Sequence, residues 1–180
     1  EQAVSNPAQR MGVTPEPGLI AAITADVNEQ PGALPLLQYA LTELFERRDG
    51  RFMTQSAYKE IGGVAGALSR RAEETYANLD TAEQEDARQL FLRLVTLGEG
   101  VEDTRRRVRS MELYTLRIDD PESQRTFRSV DEIIHRYGHY RILTFDRDPN
   151  TRETTVEVAH EALLREWSRL RHWLDESRDD

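Results

Sequence analysis

Apolar residues recur at three- and four-residue steps through the first part of the chain, which is the spacing of an amphipathic helix. The first such run begins near Leu19 and ends at Pro31-Gly32. The second begins at Pro35, a residue that the first turn of a helix tolerates, and ends at Asp49-Gly50. A shorter helix is predicted in TQSAYKEI and a long one in AGALSRRAEETYANL, with a turn at Gly62-Gly63 between them. Four amphipathic helices joined by short turns predict a small helical bundle.

The pattern changes from Thr81 onward. Thr81 is the predicted N-cap of a helix that has acidic residues in its first turn and an apolar stripe through FLRLV. We expect a second helix from Asp103-Thr104, a polar loop over Asp119–Ser129, and a third helix in VDEIIHRY. A β-hairpin signal follows, in which YRILTF and TTVEV flank the turn-rich DRDPNTRE.

A last helix is expected from about Glu161. Its buried face should contain Leu163, Trp167, Leu170 and Leu174. Trp173 is six residues after Trp167, which is not on the same helical stripe, so we expect it to be partly exposed.

Three helices followed by a hairpin is the element order of a winged helix. The sequence therefore predicts a mainly α fold with two domains. The first, over residues 1–79, is a four-helix, lid-like bundle. The second, over residues 80–180, is a winged-helix domain whose wing is the small β-hairpin.

The amino-acid composition excludes several kinds of functional site and argues against several ligands. The chain has no cysteine, which excludes a disulfide framework, a thiolate zinc site and a thiol nucleophile. Its net charge of −9 argues against nonspecific binding to nucleic acid or to anionic membranes. No apolar run approaches the ~18 residues of a membrane span, so we expect a cytoplasmic protein. The chain begins without a methionine and within a helical pattern, so we expect it to be part of a longer protein.

Two patterns suggest chemistry but favour structural roles. GGVAGALS is glycine-rich, yet it lacks the Gly-Lys-Ser/Thr ending of a phosphate-binding loop, so we favour a helix-to-helix turn and assign no hydrolysis to this chain. Asp131, His135 and His139 are four residues apart, as metal ligands on one helix face would be. Gly138 is expected to end that helix before His139, and no fourth ligand is nearby, so no metal site is predicted.

The basic run TRRRVRS, from Thr104 to Ser110, could contact DNA phosphates in a winged helix. However, the segment Val101–Asp180 contains 15 Arg against 18 Asp and Glu. We therefore expect these arginines to pair with acids such as Glu102 and Asp103, or to face a neighbouring module.

Five stretches of the chain, in the same order, resemble one protein class. They are PGALPLLQYALTELFERR, GGVAGAL, FLRLVTLGEGVEDTRRRV, YRILTFDRD and TVEVAHEALLREWSRLRHWL. The chain resembles the bacterial STAND-class (novel STAND, WD-repeat-associated) NTPases, relatives of the apoptosome and NOD-like receptor ATPases. The resemblance covers nearly the whole chain and implies the region after the ATPase core, a helical lid and a winged-helix domain. It also implies a signalling switch that is closed with ADP and open with ATP.

The resemblance implies the partners as well. An upstream P-loop ATPase module would hold ADP or ATP together with magnesium, and a downstream WD-repeat propeller would follow in the same polypeptide. Self-association on activation is a further implied interaction. On this interpretation the chain is not itself an enzyme, and we expect it to bind little nucleotide alone because most phosphate contacts are missing.

His160 is the first candidate site residue. In this class, a winged-helix histidine donates a hydrogen bond to the β-phosphate of ADP and latches the closed form, and His160 resembles it. Val156, Val158 and His160 share one face of an extended strand, so the ring follows the side that packs inward. A helix N-terminus beside it would favour an anion and a neutral imidazole. The alternative is a partly buried histidine, hydrogen-bonded to a backbone carbonyl, that holds the wing to the helix.

Pro35 is the second candidate. In this class, a proline at the start of a lid helix packs near the adenine, in a Gly-x-Pro pattern, and Pro35 resembles it. This chain departs from the pattern, since it reads Ala33-Leu34-Pro35 with Gly32 one place early. Proline is also favoured in a first helical turn without any ligand, so both interpretations stay open.

Two functions follow from these observations. The first is the regulatory arm of a STAND-type signalling ATPase, which contributes His160 and Pro35 to a nucleotide site. The alternative is a winged-helix module that binds DNA or a protein partner.

Overall fold

A computed structural model describes residues 12–29, 34–114 and 123–179. These residues form nine helices and seven short strands, which confirms the predicted mainly α fold. Within them, no helix is both long enough and apolar enough to cross a membrane. The chain divides into two compact units, Glu1–Arg71 and Ala72–Asp180. The domain boundary that the sequence suggests between residues 79 and 80 stays a prediction.

Four helices begin in the first unit, at the positions that the apolar spacing predicts. They are α1 (Leu19–Glu29), α2 (Leu34–Glu46), α3 (Gln55–Glu60) and α4 (Gly63–Ala77), and the unit boundary falls within α4. A short parallel pair, β1 (Thr14–Pro15) with β2 (Phe52–Met53), was not predicted. Strands of two residues are too short to produce a recognisable alternation of apolar and polar side chains.

The turn between α3 and α4 uses two glycines with left-handed backbone geometry. Gly62 has φ +84° and Gly63 has φ +70°, a region that residues with a Cβ rarely occupy. The structure therefore confirms a helix-to-helix turn at Gly62-Gly63, while the rest of GGVAGALS lies in α4.

The core of the first unit contains an ion pair that the apolar pattern did not predict. Glu43 lies on the buried face of α2 and is 4% exposed. Arg71 donates to the Glu43 carboxylate from Nη2 at 2.7 Å and from Nε at 3.1 Å, and Arg47 also pairs with it. These bonds are what allows a carboxylate to remain in an apolar core, since an unpaired buried charge costs several kcal/mol.

The second unit alternates helices with short strands. Its elements after α4 are α5 (Thr81–Arg93), β3 (Val95–Thr96), β4 (Thr104–Arg105), β5 (Val108–Arg109), α6 (Ser110–Tyr114), α7 (Ser123–His139), β6 (Leu143–Arg147), β7 (Thr154–Val158), α8 (Ala162–Glu166) and α9 (Ser168–Asp179). Strands β6 and β7 form the predicted hairpin. Strand β5 pairs antiparallel with the other edge of β7, which gives the sheet order β5-β7-β6.

The N-cap of α5 is Asp80, so the prediction of Thr81 was wrong by one residue. The Asp80 carboxylate accepts a hydrogen bond from the Glu83 backbone N–H at 2.9 Å. The Glu83 carboxylate accepts one from the Asp80 N–H, also at 2.9 Å. This reciprocal capping box satisfies two backbone donors, whereas a cap at Thr81 would leave the Asp80 carboxylate unused.

The helix predicted from Asp103-Thr104 was also wrong. The chain forms strands β4 and β5 there, and helix α6 begins at Ser110. Val108 is 3% exposed, while Arg107 and Arg109 beside it are exposed. This alternation has the two-residue period of a strand.

Helix α7 is longer at both ends than the sequence suggested. The predicted loop over 119–129 is helical from Ser123 onward, and residues 119–122 lie outside the described residues. Helix α7 also continues through Gly138 to His139. The Phe145 ring occupies the place of a side chain at Gly138, since an added Cβ would lie 2.5 Å from Phe145 Cε2. This glycine therefore serves close packing and does not end the helix.

Trp173 is buried, contrary to the expectation of partial exposure. The last helix is interrupted at Trp167, whose backbone is extended (φ −88°, ψ 99°), so a spacing counted along one continuous helix does not apply. Trp167 is 1% exposed, as predicted, and Trp173 is 5% exposed. The centroids of their rings are 5.5 Å apart, and Phe91 and Tyr137 complete the aromatic core around Trp167.

Candidate functional site

His160 lies at the junction that the sequence predicted, between strand β7 and the next helix. Strand β7 ends at Val158, and Val156 and Val158 are 1% and 0% exposed. His160 follows two residues later and is half-buried. Its backbone carbonyl accepts a hydrogen bond from the Leu163 N–H at 3.0 Å, which ties the end of the strand to the start of helix α8.

The surroundings of His160 favour the neutral imidazole. Burial lowers the pKa of His160 below its ordinary value of 6.5, and the nearby positive charge of Arg105 lowers it further. A neutral imidazole has one N–H that donates and one nitrogen that accepts. At neutral pH this ring can therefore offer a directional hydrogen bond but no charge.

The predicted source of this neutrality was partly wrong. The sequence predicts a long helix from about Glu161 whose dipole would disfavour the imidazolium. Helix α8 has only five residues, and the chain is extended at Trp167. A helix of this length aligns few peptide dipoles, so burial and Arg105 are the physical causes.

Arg105 is a neighbour of the site that sequence reasoning did not single out. It lies on β4, and its Nη1 donates hydrogen bonds to the backbone carbonyls of Val158 at 3.0 Å and Ala159 at 3.1 Å. These two residues lead directly into His160. The only signal in the sequence was membership of the basic run, which does not show which arginine meets the histidine.

The other arginines of the basic run are paired with acids, as predicted, but with different partners. Arg107 pairs with Asp146 at 3.2 Å and with Glu157 at 3.3 Å. Arg109 pairs with Glu112 at 2.8 Å.

Glu102 and Asp103, the acids that the sequence suggests as partners of the run, pair with other arginines. Glu102 pairs with Arg165 at 3.8 Å, and Asp103 pairs with Arg178. Strands β6 and β7 carry Asp146 and Glu157 to Arg107, whereas Glu112, the partner of Arg109, is three residues away in sequence.

Pro35 lies in the first unit, as the second residue of α2, and is exposed. This position confirms that a helix starts there. Gly32 and Ala33, which carry the departure from the Gly-x-Pro pattern, lie outside the described residues. Since His160 belongs to the second unit, a shared nucleotide site stays a prediction.

The described residues contain no group of three potential metal-ligating side chains. Within the predicted set, His135 Nε2 lies 3.5 Å from Asp131 Oδ2, one turn apart on α7. His139 instead packs its ring against Tyr140, with centroids 4.9 Å apart.

A cleft of about 440 Å³ opens in the second unit beside the start of α8. Its lining residues are Val101, Glu102, Asp103, Glu161, Leu164, Arg165, Arg171, Asp175 and Arg178. His160 is not among them. Arg178 pairs with Asp103 and, one turn away on α9, with Asp175, so part of the charge lining the cleft is compensated by ion pairs.

Comparison with known proteins agrees with the resemblance seen in the sequence. No curated protein and no solved structure matches the chain. A family model described as Novel STAND NTPase 1 matches residues 1–180. Because this match covers the whole length of the sequence, the chain belongs to the Novel STAND NTPase 1 family.

Proposed function

We propose that the chain is the regulatory arm of a STAND-type signalling ATPase, in which a helical lid and a winged-helix domain latch the closed, ADP-bound state. The observation that carries the proposal is His160, a half-buried histidine at the end of a buried strand whose surroundings favour the neutral form. Membership of the family over residues 1–180 supports it.

The topology of the second unit supports the winged-helix assignment. After α5 and the short β3–β4 pair, the chain continues as strand β5, the two helices α6 and α7, and the two-stranded wing of β6 and β7. Strand β5 pairs with β7 on the side away from β6, in the sheet order β5-β7-β6. A hairpin after the third helix of this unit, counted from α5, favours a winged helix.

In the proposed mechanism, His160 donates its N–H to the β-phosphate of ADP. The nucleotide is held with magnesium by a P-loop module upstream in the same polypeptide, and Pro35 packs near the adenine. Exchange of ADP for ATP rearranges the phosphate contact and releases the winged helix as a rigid body, a population shift between two packings. A WD-repeat propeller downstream and self-association on activation complete the proposed assembly.

The free energy of this hydrogen bond is suited to a switch between two states. A hydrogen bond to a charged group is worth ~1.5 to 3 kcal/mol, which biases an equilibrium between two states by one to two decades. That is enough to change which state dominates while leaving the transition reversible.

The alternative of DNA binding receives less support from the site. Carboxylates of the same unit already pair with these guanidinium groups, since Arg107 pairs with Asp146 and Glu157, and Arg109 pairs with Glu112. Phosphates would have to compete with those carboxylates for the guanidinium groups.

The test uses the full-length protein that contains this chain. His160→Ala should lose co-purified ADP, or release it about 10- to 100-fold faster, because one charge-assisted hydrogen bond is removed. His172→Ala is the matched control, since His172 belongs to the same unit and its side chain is 72% exposed beside Glu176. Unchanged ADP retention in a folded His160→Ala protein would reject the latch.

A further inference from the structure

We propose that Arg105 is a second ligand of the terminal phosphate of ADP and supplies the positive charge at this contact, while His160 supplies the directional hydrogen bond. This inference rests on the proposed function and extends it to a residue that neither the sequence pattern nor the family match assigns.

The first support is that Arg105 is anchored beside the histidine. Its Nη1 donates to the carbonyls of Val158 and Ala159, the two residues before His160. The backbone of Arg105 is itself held in register opposite Val95 in the β3–β4 pair. A guanidinium fixed in this way loses less conformational entropy when it meets a ligand than a freely moving one does.

The second support is that the remaining donors of Arg105 are unused. The residue is exposed, and among residues 12–29, 34–114 and 123–179 its Nε and Nη2 atoms make no hydrogen bond and no ion pair. The other arginines of the run differ, since each has a carboxylate partner. They are Arg106 with Glu112 at 3.8 Å, Arg107 with Asp146 at 3.2 Å and Arg109 with Glu112 at 2.8 Å.

The third support is that a guanidinium and a neutral imidazole complement each other at an oxyanion. The nearby Arg105 cation acts together with burial to lower the pKa of His160. Two adjacent cations would repel each other in the absence of a ligand, whereas one cation and one neutral donor do not. Arginine also presents its N–H groups as a fork that matches phosphate oxygens.

Glu161 is the acidic residue next to the histidine in sequence. Its side chain is exposed and lines the separate cleft that Arg165 and Arg178 also border. It forms no ion pair with Arg105 in the part of the chain that the structure describes. The positive charge of Arg105 is therefore left for a ligand.

The experiment measures the affinity of the full-length protein for ADP and for AMP, which lacks the β-phosphate. Arg105→Gln should weaken ADP binding by about 10- to 100-fold and leave AMP binding within about twofold, because only ADP offers the phosphate that Arg105 contacts. Arg105→Lys should fall between, since lysine keeps the charge but not the fork. Arg107→Gln is the matched control, because it removes one charge from the same run and should leave both affinities unchanged.

Two results would overturn the inference. If Arg105→Gln weakens ADP and AMP alike in a protein whose circular dichroism is unchanged, Arg105 only holds β4 against the end of β7. If His160→Ala loses ADP and Arg105→Gln retains it, the latch stands and Arg105 is not part of it. Retention of ADP by both variants would instead reject the proposed function.

Discussion

Replacing Phe91 with alanine should destabilise the second unit by about 4 kcal/mol. Phe91 is 0% exposed, and its ring meets two others edge-on, with centroids 4.9 Å from Tyr137 and 5.0 Å from Trp167. Burial of a phenylalanine side chain contributes roughly 1.5 to 3 kcal/mol by transfer alone. The cavity left behind and the lost ring contacts raise the cost to roughly 3 to 5 kcal/mol.

Urea denaturation followed by tryptophan fluorescence measures this change. Both tryptophans of the chain, Trp167 and Trp173, belong to the second unit, so the signal reports on its unfolding. With a denaturant dependence of about 2 kcal/mol per M, the midpoint should fall by about 2 M. The matched control is Phe145→Ala, which removes a ring that is 44% exposed and should cost about 1 kcal/mol.

The reasoning is refuted if Phe91→Ala and Phe145→Ala lower the stability equally, or if Phe91→Ala costs less than about 2 kcal/mol. Either result would mean that the aromatic core around Trp167 does not determine the stability of this unit.

Two further predictions concern local features of the second unit. His160 should titrate, in an NMR measurement of its ring protons, with a midpoint below 6.5, because burial and then Arg105 lower its pKa. The unfolded histidine binds a proton that the folded one excludes, so stability is lost as pH falls from about 6.5 through the folded pKa. A midpoint at or above 6.5 would contradict this assignment. Asp80→Ala should cost about 1 kcal/mol in the free energy of unfolding and Thr81→Ala less than about 0.5 kcal/mol, because Asp80 caps α5. Equal losses in urea denaturation would contradict the capping box.

Local signals predicted the elements well. The helices α1 to α4 follow apolar spacing, and the hairpin of β6 and β7 follows a turn-rich segment between two strand-like runs. The sequence-based predictions were wrong where one residue type can have more than one structural role. Gly138 reads as a helix end, yet it is the place where the Phe145 ring packs.

The candidate site was predicted only in part. His160 was placed at the end of a strand by the alternation of Val156 and Val158, both of which are buried. Its neighbour Arg105 was not found, because the two carbonyls that hold the guanidinium are 53 and 54 residues away in the chain. No local pattern distinguishes this arginine from the others in TRRRVRS.

The sequence by itself determined the helical character, the hairpin, the position of His160 and membership of the family. These features depend on the spacing of side chains along a helix or strand, and on motifs that are read along the chain. Only the tertiary structure decided which arginine lies beside the histidine, that Trp173 is buried, and that Glu43 pairs with Arg71. Each of these depends on contacts between residues far apart in sequence, where burial and charge pairing favour one partner among several of the same chemical type.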